Sequence, residues 1–184
     1  MSAASRAVRQ QASAPTWAQE PPEGIDDGYA SFYRAEYPHV VRTSFLIVHD
    51  RQRAEDVAQE AFIQLLTHWR KVSRYEQPGA WVRRVAIRLA SRVARREQRR
   101  PLVEHQCDAP LSLAAQDVDL LNAVRQLTPQ QRAAVALFYF EDRPLPEVAH
   151  ILGCSHAAAK VHVFNARRRL ALLLGEEVVD VVRR

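Results

Sequence analysis

The stretch Trp81 to Arg100, WVRRVAIRLASRVARREQRR, limits what this chain can become more than any other part of it. Val82, Val85, Ala86, Leu89 and Val93 recur at intervals of three and four, which predicts a helix with one apolar face. Eight arginines fall between Arg83 and Arg100, and the one acid among them is Glu97. Arg84, Arg88, Arg92 and Arg95 repeat with the same period on a second face, and Trp81 falls at its start. Surface helices ordinarily alternate charges of both signs. A packed helix that shows a ladder of guanidinium groups beside an indole suits a phosphate chain with unstacked bases. The plainer account of the same residues is a solvated basic face.

Composition agrees with a helical, anion-seeking protein. The chain has 184 residues, 47% of them hydrophobic, with only five glycines, and its apolar residues follow the 3.6 period in most segments. The expected fold class is all-α: two small helical domains joined by a linker, the second a helix-turn-helix domain. Net charge is +5, which favours an anionic partner. Of 26 basic residues only Lys71 and Lys160 are lysines. Arginine binds phosphate and base edges bidentately. A GC-rich genome also enriches arginine, so the placement of these residues says more than their number.

Several function classes drop out. Cys107 and Cys154 make no disulfide framework, and a reducing cytoplasm is the expected compartment. Residues 1–27 lack the apolar segment of a signal peptide, and no run of 18 apolar residues exists to enter a membrane. No glycine-rich phosphate loop, nucleophile elbow or paired carboxylate appears, so neither an enzyme nor a cofactor is expected. His150, Cys154, His156 and His162 do not have metal-site spacing.

Taken in order, residues 1–27 read as a disordered tail containing Trp17. Tyr29 to Val48 is helical in pattern, with a kink or break expected at Pro38. Asp50 is placed to cap a second helix, Arg51 to Trp69, whose core stripe is Ala54, Val57, Ala58, Ala61, Phe62, Leu65, Leu66 and Trp69. Its other side carries Glu55, Asp56, Gln59 and Glu60. Acids near a helix start suit its dipole, but Gln59 and Glu60 lie further in. A polar loop with Arg74 and Tyr75 leads through Pro78-Gly79 to the arginine helix. Pro101 to Gln116 reads as a linker, and Val118 to Leu127 as a short helix. Thr128-Pro129 starts a helix expected to reach Glu141 and to bury Ala133, Val135, Ala136, Phe138 and Tyr139. Leu145 to Leu152, a turn at Gly153 and a helix capped by Ser155 and running to about Leu174 form a helix-turn-helix pattern. Val148, Ile151, Val161 and Leu170 are its expected core, with Ala149 where the helices cross.

Two groups of residues together resemble a known family. Arg53 to Phe62 (RAEDVAQEAF) and Pro78 to Ala86 (PGAWVRRVA) resemble region 2 of bacterial sigma factors of the extracytoplasmic-function type. Leu127 to Arg132 (LTPQQR), Pro146 to Ser155 (PEVAHILGCS), Lys160 and Ala166 to Leu170 (ARRRL) resemble their region 4. The likeness spans about residues 29–174 and implies region 2 within 28–100, a linker at 101–116, region 4 within 117–175 and a tail at 176–184. It further implies that Asp56, Gln59 and Glu60 bind the clamp helices of the RNA polymerase β′ subunit. Arg74, Tyr75, Trp81, Arg84, Arg88 and Arg92 would hold the melted −10 element. The helix after Ser155 would enter the major groove of the −35 element, with His156, Lys160, His162, Arg167 and Arg168 as its contacts. Here the family more often has polar residues where this helix opens with His156-Ala157-Ala158-Ala159, which shifts base readout toward His156, Lys160 and His162. Partners implied are core polymerase, through β′ and β, promoter DNA and an anti-sigma protein. The rival reading is a free-standing helix-turn-helix repressor whose first domain dimerises.

Overall fold

The structure is a computed structural model, and it describes residues 27–98 and 115–175. The described residues form seven α-helices and one π-helical turn: α1 (Asp27–Val48), α2 (Arg51–Val72), α3 (Pro78–Gln98), α4 (Ala115–Arg125), α5 (Pro129–Val135), the π turn (Ala136–Phe140), α6 (Leu145–Leu152) and α7 (His156–Leu174). None of these helices is long and apolar enough to cross a membrane. The expected amino-terminal tail with Trp17, the greater part of the linker with Cys107, and the carboxy-terminal tail lie outside the described residues.

Local chemistry sets the helix ends. His49, with φ of 57°, turns the chain out of α1 in the left-handed region, and Asp50 accepts from the Arg53 amide at 2.9 Å to start α2. Thr128 and Gln131 form a reciprocal capping box at the start of α5, with Pro129 in its first turn. Helices α1, α2 and α3 pack on one another as an amino-terminal unit. Phe62 sits in an aromatic group with Phe32, Tyr33 and Tyr37, and Tyr29 and Trp69 extend it. The Tyr29 hydroxyl donates to the Phe62 carbonyl at 2.8 Å, which satisfies the polar end of a ring whose body is buried.

The carboxy-terminal helices do not stand apart from this unit. Ala133, Leu137, Val148, Ala149, Ile151 and Ala159 share one buried cluster with the residues of α1, α2 and α3. A smaller cluster joins α4, α5 and α7 around Val124, Leu127 and Leu170. Across the seam, Glu141 is held by three side chains. Arg83 Nε lies 2.5 Å from its Oε2, the Thr43 hydroxyl donates to its Oε1 at 2.5 Å, and Arg143 lies at 3.6 Å. Arg83 also meets Glu36 at 2.7 Å. Gly79 leaves room for that pair, since a Cβ there would stand 2.7 Å from Arg83 Nη1. Arg132, buried with no carboxylate paired to it among the described residues, donates to the carbonyls of Ile47 and Arg125 and so ties together the ends of α1 and α4.

Several expectations are corrected. Of the kink or break expected at Pro38, the break does not occur, since α1 runs through it as a single element. Pro38 and Arg34, the residue whose carbonyl loses its partner, are both exposed, so water replaces the missing bond. Leu66 and Val161 are outside the core, 43% and 53% exposed, because a helical repeat marks an apolar flank without saying which edge of it meets a neighbour. The helix expected to reach Glu141 ends at Val135, and the wider π turn after it changes the phase so that Leu137 is fully buried. Phe138 and Tyr139 are only partly covered. Helix α4 opens at Ala115, inside the stretch read as linker.

His49 makes the packing sensitive to acid. Its ring is buried with both nitrogens unpartnered. Burial first, then the nearby Arg132 and Arg125 guanidinium groups, pull its pKa from 6.5 down to about 3. The fold therefore holds the neutral ring, and its stability is full above pH 6.5 and falls as pH drops toward 3. At pH 5.5 the expected loss from this group is about 1.4 kcal/mol, measured by urea unfolding. In His49→Asn, which tolerates the left-handed backbone, this part of the pH dependence should vanish.

Candidate nucleic-acid interface

The exposed edge of α3 carries Trp81, Arg88, Arg92 and Arg95, with Arg84 at its margin. Arg88 and Arg92 have no acidic partner among the described residues. Glu97, the acid of this helix, is paired with Arg53 of α2. The edge is therefore a row of cations available to an anion. Trp81 is half-buried, with the His68 ring 5.7 Å away between centroids. Arg84 is half-buried as well, and its guanidinium donates to the His150 carbonyl of α6.

Arg74 and Tyr75 lie exposed in the turn after α2. They line an open hollow of about 600 Å³ with Arg70 and Lys71. These two cations were missed in the sequence, although an adjacent Arg-Lys pair in the last turn of α2 was a usable signal. Tyr75, Trp81 and Arg84 also share a cleft of about 810 Å³, whose opposite wall is Pro144, Pro146, Glu147 and His150. Of the six residues expected to act together, the structure gathers Tyr75, Trp81 and Arg84 in this cleft. Arg74 stands beside it, and Arg88 and Arg92 continue along α3.

The second site lies on α6 and α7. Gly153, at φ 68°, ends α6 in the left-handed region that disfavours other residues. Ser155 then caps α7 by accepting from the Ala158 amide at 3.1 Å. Ala159, Val163, Ala166 and Leu170 form the buried side of α7. His156, Lys160 and Arg167 fall together on one exposed flank. Arg168 lies on the outermost face, among the exposed Val161 and Phe164. His162 is half-buried on the other flank, beside Arg169. The residues expected to meet one groove therefore divide over more than one face. Val161, expected in the core, and Phe164, which the sequence reading did not include, hold the middle.

The third surface is on α2. Asp56, Gln59 and Glu60 are exposed along one face. Ile63, 58% exposed, and Leu66 continue it at helical spacing. This is a mixed acidic and apolar strip, and Ile63 was the member missed from sequence.

The chain matches two family profiles, sigma-70 region 2 over residues 32–100 and sigma-70 region 4 over residues 117–170. It is 30% identical over 174 residues to the RNA polymerase sigma factor CarQ of Myxococcus xanthus, covering 88% of this chain and 97% of CarQ. It is 25% identical over 169 residues to the ECF RNA polymerase sigma factor BldN of Streptomyces coelicolor, covering 84% of this chain and 63% of BldN. Among solved structures, the sigma factor RpoE of Bartonella quintana, crystallised in complex with the anti-sigma factor NepR, superposes with a TM-score of 0.69. That match is 20% identical and covers 79% of this chain and 96% of RpoE.

Proposed function

The chain belongs to the sigma-70 family of RNA polymerase sigma factors, in its extracytoplasmic-function group, and from that premise we propose how it divides its surface among its partners. The protein directs promoter-specific initiation of transcription by RNA polymerase. Region 2 comprises 28–100 and region 4 comprises 117–175, joined by 101–116. The α2 strip of Asp56, Gln59 and Glu60, extended by Ile63 and Leu66, docks on the β′ clamp helices. Exposed acids at the rim supply charge complementarity, and the two apolar side chains supply area that water leaves. Arg74, Tyr75, Trp81, Arg84, Arg88 and Arg92 hold the melted −10 strand, the aromatics by stacking and the arginines by phosphate contact. The start of α7 enters the −35 major groove with Ser155, His156, Lys160 and His162, while Arg167 and Arg168 meet phosphates. The site of action is the cytoplasm, and an anti-sigma protein that covers these surfaces is a partner in keeping with the RpoE–NepR pair.

The observation that carries this reading is the separation of three chemically distinct surfaces on α2, α3 and α7. A repressor needs one duplex-reading surface and a dimer contact. It leaves an acidic strip beside an unpaired arginine edge without a purpose. Run-off transcription with core polymerase on promoter fragments tests the assignment. Wild type should start at a defined site, and Glu60→Arg should co-purify with core at least about tenfold less well with unchanged helix content. Equal recovery with core would remove α2 from the docking assignment.

The α7 assignment predicts a split between residues. Lys160→Ala should weaken duplex binding by a similar factor on all sequences and flatten the salt dependence by about one unit of slope. His156→Ala should change preference among −35 sequences, because only base-edge contacts carry sequence information. Gel-shift titrations of the full chain on a set of −35 duplexes separate the two. A uniform loss for both substitutions would argue against base readout by His156.

A further inference from the structure

Helix α7 is apolar on both sides. Its inner side, Ala159, Val163, Ala166 and Leu170, is buried where the helix packs on α4, α5 and α6. At about 100° per residue, the side directly opposite carries Ala157, Val161 and Phe164, and Arg168 and Leu172 continue it toward the end of the helix. Val161 and Phe164 are 53% and 59% exposed. Single apolar residues on a surface need no explanation, but these stand in register one turn apart. The exposed residues from His156 to Phe164 are His156, Ala157, Lys160, Val161 and Phe164. Groups that can hydrogen-bond therefore lie to one side of the helix start, and its outermost line has none. The flanks show what fits this line. His156, Lys160 and Arg167 run along one side of it and Arg169 lies on the other, with no acid between Ser155 and Leu174. Cations on both flanks of an apolar ridge match a major groove, which has a phosphate strand on each rim and is about 12 Å wide, close to the width of a helix.

We propose that Ala157, Val161 and Phe164 read thymine 5-methyl groups in the −35 major groove, so that apolar contact sets part of this chain's sequence preference. The inference rests on the assignment of α7 to the −35 duplex and names the chemistry that α7 recognises there. The thymine methyl is the one apolar group that base pairs display on the major-groove edge. Covering it with a valine or phenylalanine side chain removes apolar surface from water on both partners. A cytosine in the same place offers an amino donor instead, and an aliphatic or aromatic side chain leaves that donor dry and unpaired. The stripe thus selects for thymine and against cytosine without a hydrogen bond. Ala157, in the first turn, has no side chain beyond its Cβ, which lets the helix start sit close to the groove floor. From Ala157 to Phe164 the helix rises about 10 Å, which matches about three base pairs at 3.4 Å each. Leu172 lies a further two turns on, beyond that reach.

The test uses the full chain assembled with core polymerase, on a promoter fragment that gives a defined start in run-off transcription. Each thymine of the −35 element, on either strand, is replaced in turn by deoxyuridine, which lacks only the methyl group. Gel-shift competition reads affinity for wild type, Val161→Ala and Phe164→Ala. Both side chains are exposed, so helix content and recovery with core should not change. Wild type should lose about fourfold for each contacted methyl removed, at thymines in neighbouring base pairs. Each variant should bind the natural element about fourfold more weakly than wild type. It should then lose nothing more when the thymine its side chain covers becomes deoxyuridine, because the two changes remove the same contact. Wild-type binding that is selective among −35 sequences yet indifferent to every deoxyuridine overturns methyl readout and leaves α7 on the duplex. So does a −35 element with no A·T pair, or a variant that loses equally on the natural and the substituted element. Wild type that does not discriminate −35 sequences at all overturns the α7 assignment itself. Variants that no longer co-purify with core, or that change the oligomeric state of the free chain, put a protein on the stripe instead of DNA and overturn the proposal. Variants that bind the natural element more tightly do the same, since another part of the chain then covers the stripe.

Discussion

A carboxylate removed from water must find its compensation close by, and Glu141 finds it on helices far from it in the chain. Arg83 lies 58 positions before it and Thr43 lies 98 before it. Each member of this group would be costly without the others: a buried guanidinium or carboxylate left alone costs several kcal/mol. The seam is therefore close to all-or-none, and its geometry fixes the rest of the molecule. It requires α3 to be covered on two flanks, leaving one edge for function. It requires the π turn, which brings Leu137 into the core just before Glu141. It also places Arg132 where it can bridge the ends of α1 and α4, with the buried His49 ring nearby, its pKa pulled down by burial and by Arg132.

For a sigma factor this arrangement has a functional logic. The surfaces proposed to face polymerase, the single strand and the duplex are carried on different helices, so each can be engaged at a different stage. The α2 strip is exposed, and so are His156, Lys160, Arg167 and Arg168 on α7.

Much of this was legible in the sequence because the signals are local. The helix caps at Asp50, Thr128 and Ser155 each need only one side chain and an amide three residues away, and each forms. The arginine ladder of α3 was visible as a repeat. The second buried flank of α3 was not, because Ala90, Ser91 and Ala94 are small and Arg83 is charged, and none of them reads as core. Leu66 and Val161 were assigned inward for the opposite reason: they are apolar and in phase, and only tertiary packing shows that nothing covers them. The largest departure is the seam itself. A proline-containing linker suggested two separate small domains, whereas a network of Glu36, Thr43, Arg83 and Glu141 has no local pattern to announce it.

Hydrogen–deuterium exchange on the free protein and on its complex with core polymerase tests the central claim most directly. The account predicts that in the free protein the peptides spanning Arg83–Ala94 and Ala136–Leu152 exchange slowly. On binding core, Asp56–Leu66 should become slower. Fast exchange of Ala136–Leu152 in the free protein would contradict the buried seam, and an Asp56–Leu66 segment unchanged by core polymerase would contradict the docking strip.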